Sequence, residues 1–151
     1  MKIVLEPIGI IRTPFKKAKD APRQAAEALM YTAVAEIFPP YREALEGLDS
    51  FPWVVLIYFL HRTGGRGDLK GVFSTRSPHR PNPLGVAVVE LLEVKEDSIR
   101  FRGVDMLDGT PLLDIKPCVP QFDFQNVTKT GWLERSDKSV FTAKDDGRFD
   151  E

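Results

Sequence analysis

Residues 85–104 read GVAVVELLEVKEDSIRFRGV, and this stretch decides the fold class. Gly85–Val94 and Ser98–Val104 are rich in β-formers, and Lys95-Glu96-Asp97 between them is polar, so the stretch predicts two strands around a turn. Arg100 and Arg102 alternate with Ile99 and Phe101, which gives the second strand one wet face. Downstream, Asp108-Gly109-Thr110-Pro111 is a strong turn signal, and LLDIKP follows as a last core strand. Upstream, Trp53–Leu60 (WVVLIYFL) is an apolar run without alternation, which predicts a strand covered on both faces. KGVFST, at 70–75, reads as another strand. IVLEPIGIIR, at 3–12, reads as a first strand with Pro7 marking an edge or a bulge. Residues 24–37 combine helical composition with a later alternation, and predict a loop or short turn followed by a strand at 32–37. Pro39-Pro40 opens a short helix, YREALEGL, with Gly47 near its end. Strands spaced at roughly 8–15 residues with turn signals between them point to a mainly β, barrel-like domain rather than to alternating βαβ units.

The chain has 151 residues, 42% of them hydrophobic, enough for one domain around a single core. No apolar run reaches the roughly 18–20 residues that span a bilayer. The N-terminus, MKIVLEPIG, lacks a signal-peptide pattern, so a cytoplasmic protein is expected. The single cysteine, Cys118, excludes a disulfide framework and a cysteine-cluster zinc site, and reads as a small semi-buried residue. With only His61 and His79, a histidine metal site would need carboxylate help, and no metal is expected. No glycine-rich fingerprint follows a strand and opens a helix, so a Rossmann-type cofactor site has no support. Residues 120–151 are less periodic and end in the charged KDDGRFDE. They are expected to form a partly mobile C-terminal extension to a barrel at 1–119.

Net charge is −1, yet the charge is unevenly spread. Segment 61–80 carries Arg62, Arg66, Lys70, Arg76 and Arg80 against Asp68 alone, a local +4. Such a block fits a phosphate footprint, and a solvated basic loop explains it equally. Within it begins Phe73–Gly85, FSTRSPHRPNPLG, the segment with the clearest functional signature. Pro78, Pro81 and Pro83 fix their own φ and restrict the residue before each, so the loop loses little entropy when it binds. Arg76 and Arg80 offer planar donors suited to carboxylate or phosphate, and Asn82 offers an amide for a base or ribose edge. The segment thus reads as a stiff, cationic ligand loop.

Three other segments are candidates. In Asp105–Pro117, Asp108 and Thr110 can make local turn bonds, or the turn can hold the charged end of an amino-acid moiety. Asp114 and Lys116 share one strand face, which a surface ion pair also explains. Pro22-Arg23-Gln24 lies in a polar loop. His61-Arg62 follows the apolar strand, and strand ends at a barrel mouth are where ligands sit.

Taken together, IGIIRTPF, the APRQ loop, LEGLDSFPWVVLIYFLHR, GVFSTRSPHRPNPLG and DMLDGTPLLDIKP occur in an order that resembles the TrmO-like (YaeB/VirR-type) family of S-adenosylmethionine-dependent tRNA methyltransferases. The resemblance covers about residues 3–118. It implies a compact antiparallel β-barrel with one or two short helices, a homodimer, and S-adenosylmethionine bound near the subunit interface. The implied reaction is methylation at N6 of N6-threonylcarbamoyladenosine beside the anticodon, so the anticodon stem-loop of tRNA is the implied partner. By motif, Pro22, Arg23 and Gln24 match the N-terminal cofactor loop. His61 and Arg62 match the positions closing the apolar strand, Arg76 the loop arginine, and Asp108, Gly109, Thr110 and Pro111 the turn that holds the cofactor. Arg66, Lys70, Arg80, Asn82 and Lys116 are expected on the substrate side, and no catalytic base is assigned. Cys118 departs from the family in standing where many members have an aromatic residue. A non-enzymatic barrel that binds S-adenosylmethionine or RNA, or a methyltransferase with another substrate, is the alternative reading.

Overall fold

A computed structural model describes residues 1–22, 25–62 and 69–135. Six strands close a barrel: β1 (Gly9–Arg12), β2 (Thr32–Ile37), β3 (Trp53–Phe59), β4 (Leu84–Val94), β5 (Ser98–Arg102) and β6 (Thr110–Pro117). Their order around the wall is β1-β2-β5-β4-β3-β6, every pairing is antiparallel, and β6 closes onto β1. Two short helices, α1 (Ala25–Ala28) and α2 (Pro120–Asp123), lie outside the wall. Closure leaves no unpaired strand edge in the sheet.

The paired stretch 85–104 forms β4 and β5 around the expected turn, with the Lys95 N–H donating to the Ser98 carbonyl at 2.8 Å. Ile99 and Phe101 are fully buried. Arg100 and Arg102 reach outward to Glu93 and Glu90, at 3.3 and 2.8 Å. β4 is long because it serves two neighbours: Leu84–Glu90 pair with β3, and Glu90–Val94 pair with β5. A register shift between Leu91 and Glu93 bends it from one to the other, the usual means of turning a barrel corner. Ile11, Val54, Leu56, Val89, Val104 and Leu112 join Ile99 and Phe101 in a core without solvent contact.

Three expectations are corrected and one, the short helix, is specified further. The first strand begins at Gly9, not at residue 3, because Pro7 has no N–H to give the ladder; Ile3, Val4 and Leu5 stay exposed. KGVFST is not a strand: Gly71, at φ +68°, starts a 3-10 turn over Val72–Ser74. The short helix after Pro39 is also 3-10, spanning Pro39–Leu45, and a second turn follows at Leu48–Ser50. β3 is not covered on both faces. Val54, Leu56 and Tyr58 point inward, while Trp53 and Phe59 are each 39% exposed. An unalternating apolar strand here means a barrel wall with an apolar exterior. Among the described residues, no helix is long and apolar enough to cross a membrane.

Candidate functional site

The topology sorts the connections by end. Strand directions alternate around the wall, so β1–β2 (13–31), β3–β4 (60–83) and β5–β6 (103–109) all emerge at one end. The β2–β3 and β4–β5 connections and the segment after β6 emerge at the other. Of the expected site residues that are described, all but Lys116 fall on the first end. Pro22 is buried in the first loop. His61, Arg62, Lys70, Arg76, Arg80 and Asn82 lie in the second, and Asp108 and Gly109 close the third, with Thr110 and Pro111 opening β6. Arg23, Gln24 and Arg66 lie outside the described residues. Lys116 is not brought to this end. It sits far along β6 opposite Val55 and pairs with Asp114 at 2.9 Å, which is the surface ion pair the spacing allowed.

Asp108 joins the first and third loops. Its carboxylate accepts the Thr13 N–H at 3.1 Å and the Lys16 ammonium at 2.5 Å, and its own N–H donates to the Phe15 carbonyl at 2.8 Å. Thr13 is buried and donates its hydroxyl to the Met106 carbonyl at 3.0 Å. The hydrogen bond from Lys16 holds the Asp108 carboxyl below the usual carboxylate range. Gly109, at φ +80°, adopts the left-handed turn that a side chain would strain, and donates to the Ile11 carbonyl. Arg62 completes the clasp from the second loop by donating to the Lys16 carbonyl at 2.5 Å. All three loops are therefore fastened around residues 13–16. Beside them an open cleft of about 440 Å³ is lined by Arg12, Thr13, Lys16, Thr32 and Asp108 among others.

The proline-braced loop is stiffened by its own side chains. Arg80 donates to the Thr75 and Ser77 carbonyls at 3.0 and 3.3 Å, and Ser77 Oγ accepts the His79 N–H. Arg76 donates to the Val86 carbonyl at 3.1 Å, tying the loop to β4. Part of the donor capacity of Arg80 thus serves the loop itself, whereas Arg76 remains exposed at the barrel mouth.

Tyr58 is the residue that sequence reasoning missed. Its ring is buried and pairs in register with Gly85, where any Cβ would overlap the ring carbons. The glycine is required by this close approach. Burial raises the Tyr58 pKa, the charge of Asp105 raises it further, and Arg76 opposes both. Asp105 is exposed by area, yet neighbouring atoms crowd its carboxyl and loss of hydration raises its pKa, against the pull of its own backbone hydrogen bond and of Arg76. Tyr58, Asp105 and Arg76 thus lie within electrostatic reach of one another. The available signal was the tyrosine inside an apolar run and a glycine opening the next strand. His61 is shifted downward, first by burial and then by Arg62, with a backbone hydrogen bond at Phe59 opposing, so its imidazole is neutral at pH 7. Burial and the neighbouring Asp123 raise the Cys118 pKa, which keeps it a thiol.

Residues 10–124 match the profile of the tRNA-methyltransferase O N-terminal domain. The chain belongs to this TrmO family. A probable S-adenosyl-L-methionine-binding protein of Pyrococcus abyssi is 46% identical, covering 99% of this chain and 86% of that protein. A mouse tRNA (adenine(37)-N6)-methyltransferase is 35% identical over 80% of this chain and 32% of its own length. The crystal structure of TrmO from Pseudomonas aeruginosa superposes with a TM-score of 0.79 at 40% identity, covering 87% of this chain and 62% of that one. The chain therefore spans less than two thirds of the solved TrmO chain and about a third of the mouse enzyme. The TrmO match runs through all six strands and α2, so the barrel and its three-loop end lie inside the shared domain.

Proposed function

We propose that this chain is an S-adenosylmethionine-dependent methyltransferase domain acting on N6 of N6-threonylcarbamoyladenosine beside the anticodon of tRNA. One observation carries the reading: the TrmO-family barrel gathers three loops at one end and clasps them through Asp108, Lys16 and Arg62. The donor set fits the cofactor. A zwitterionic amino-acid end needs both signs of charge, and this end supplies Asp108 with Arg62, Arg76 and the turn at 108–111. Pro22, Arg23, Gln24 and His61 complete the proposed cofactor site.

When bound, S-adenosylmethionine supplies an electrophilic methyl group. The rest of the work is positioning, which can lower a barrier by several kcal/mol, on the order of 7–11 in the best-oriented cases. Arg76 orients a carboxylate of cofactor or substrate, while the bonds within the loop keep it from swinging away. The adenosine N6 is urea-like and must lose a proton for its lone pair to attack. His61, neutral at pH 7, can accept it at a ring nitrogen; a carboxylate, including the substrate's own threonyl group, is the other acceptor. Lys70, Arg80, Asn82 and Arg66 meet the phosphates and bases of the anticodon stem-loop.

The functional unit is a homodimer. Supporting this, the outer face of β3 and β4 presents Phe59, Leu84, Val86 and Val88, each 37–46% exposed, as a continuous apolar strip beside the Arg76 loop. The barrel at 1–119 is the catalytic unit and 120–151 its extension, working in the cytoplasm where tRNA is found. Incubation with methyl-labelled cofactor and tRNA, followed by mass spectrometry of the nucleosides, tests the activity. Label on the threonylcarbamoyl adenosine is the expected result. Bound cofactor without a labelled nucleoside would make the barrel a binding module instead.

A further inference from the structure

The ligand loop presents an aromatic side chain that the fold leaves bare. Phe73 is 81% exposed, although it lies in a tightly held turn. Val72 beside it is buried, the Ser74 and Thr75 N–H groups donate to Gly71 and Val72, and the Thr75 hydroxyl also reaches the Val72 carbonyl, at 2.8 Å. The turn is thus pinned with its phenyl ring outward. A second aromatic arrives from the other end of the chain. The tail leaves the barrel at its opposite end after Pro117, and its Trp132 indole N–H donates to the Ser74 carbonyl at 2.7 Å. Trp132 is itself 52% exposed. The two rings are not stacked on each other; among the described residues the ring pair is Phe15–Tyr31.

Trp132 is therefore bonded to the backbone of the residue that follows the exposed Phe73, and Arg76 and Arg80 lie on the same loop. Among the described residues neither arginine pairs with a carboxylate. Open π faces beside guanidinium groups match the chemistry of unpaired bases linked by phosphates. A purely apolar protein partner would not call for the adjoining cations. We propose that Phe73 and Trp132 form a stacking platform for unpaired RNA bases next to the adenosine that is methylated, with Arg80 facing the phosphates between them. This rests on the reading of the chain as a tRNA methyltransferase domain. It gives residues near the chain's end a direct part in substrate binding.

The test uses the full chain carrying Trp53→Phe, which leaves Trp132 as the one indole of the two in the sequence. An RNA hairpin with an unpaired loop is titrated, alongside a blunt RNA duplex of equal length. Trp132 emission is expected to be quenched by the hairpin and far less by the duplex. Phe73→Ala and Trp132→Ala are each expected to weaken hairpin binding roughly tenfold. Phe73→Tyr restores it and Phe73→Leu does not. Affinity for S-adenosylmethionine and the slope of RNA binding against salt stay unchanged, since neither residue is a charge. Hairpin binding without quenching and without loss in the alanine variants would overturn the platform while leaving the methyltransferase reading intact. A protein that neither binds hairpin nor transfers methyl would overturn both. If Phe73→Ala abolishes self-association in sedimentation but leaves RNA affinity unchanged, the patch belongs to a second copy and the platform is wrong.

Discussion

The two ends of this barrel are built from the same strands and are fastened differently. At one end the β2–β3 connection is wound into 3-10 turns and β4–β5 is a tight turn. There the side-chain bonds are local, Ser50 to Gly47 and Arg42 to Ile37, and separate segments meet through backbone, Ile37 to Asp97 and Phe38 to Ile8. At the other end the loops are fastened to one another across the mouth, Lys16 to Asp108, Arg62 to Lys16 and Thr13 to Met106. Local bonds make a turn stable by itself. Bonds between loops make the relative position of three segments stable, and a ligand contacted by all three requires that. The lesson is that the end proposed to hold the ligand is distinguished less by its residue types than by where its side-chain hydrogen bonds go.

The contrast can be broken most severely at the glycines. Gly85→Val places a branched side chain into the Tyr58 ring and is expected to cost about 3 kcal/mol, a Tm drop of roughly 10 °C, together with activity. Gly47, at φ +79° in the opposite connection, has open space around it. Gly47→Ala should cost only about 1 kcal/mol of backbone strain and spare the activity per folded molecule. Thermal melts paired with turnover separate the two cases. Arg76→Ala comes next: loss of one charge-assisted contact predicts a roughly 10- to 100-fold fall in kcat/KM with an unchanged fold.

Asp108→Asn is expected to act more gently. The Lys16 side chain is 71% exposed, so the pair itself contributes less than about 1 kcal/mol, and its main effect is to loosen the clasp. The sign with pH is fixed. A carboxyl held below its ordinary value stabilises the fold fully above about pH 4, and that stabilisation is lost as acid protonates the folded state. The Tm difference between wild type and Asp108→Asn should therefore shrink as pH falls from 6 toward 3, about the range where a carboxylate titrates. Smallest of all is Lys116→Ala. On the wall far from the clasp, it should change cofactor affinity and turnover by less than about twofold, the scale of an exposed ion pair.

Much of this was legible in the sequence, for identifiable reasons. Alternation placed Ile99 and Phe101 inward and Arg100 and Arg102 outward, because period two is a property of strand geometry. The prolines and arginines of FSTRSPHRPNPLG marked a stiff cationic loop, and the structure shows that loop braced by Arg80 and tied to β4 by Arg76. KGVFST misled because its β-formers sit after Gly71, whose positive φ commits the backbone to a turn before they can pair. Lys116 shares a motif with Asp108 but not an end of the barrel; from Thr110 to Lys116, six positions along β6, is about 20 Å. Tyr58 was hidden because its role depends on register, and only the pairing of β3 with β4 puts Gly85 under its ring. Trp132 was out of reach for a related reason: no local pattern says that a residue beyond the barrel returns to Ser74.

The most direct test of the division between the ends is a calorimetric titration of S-adenosylmethionine into wild type, Arg76→Ala, Asp108→Asn and Lys116→Ala. Binding at the three-loop end predicts a clear loss of affinity for Arg76→Ala, a smaller loss for Asp108→Asn, and wild-type affinity for Lys116→Ala. Undiminished binding by the first two variants, or a loss confined to Lys116→Ala, would contradict it.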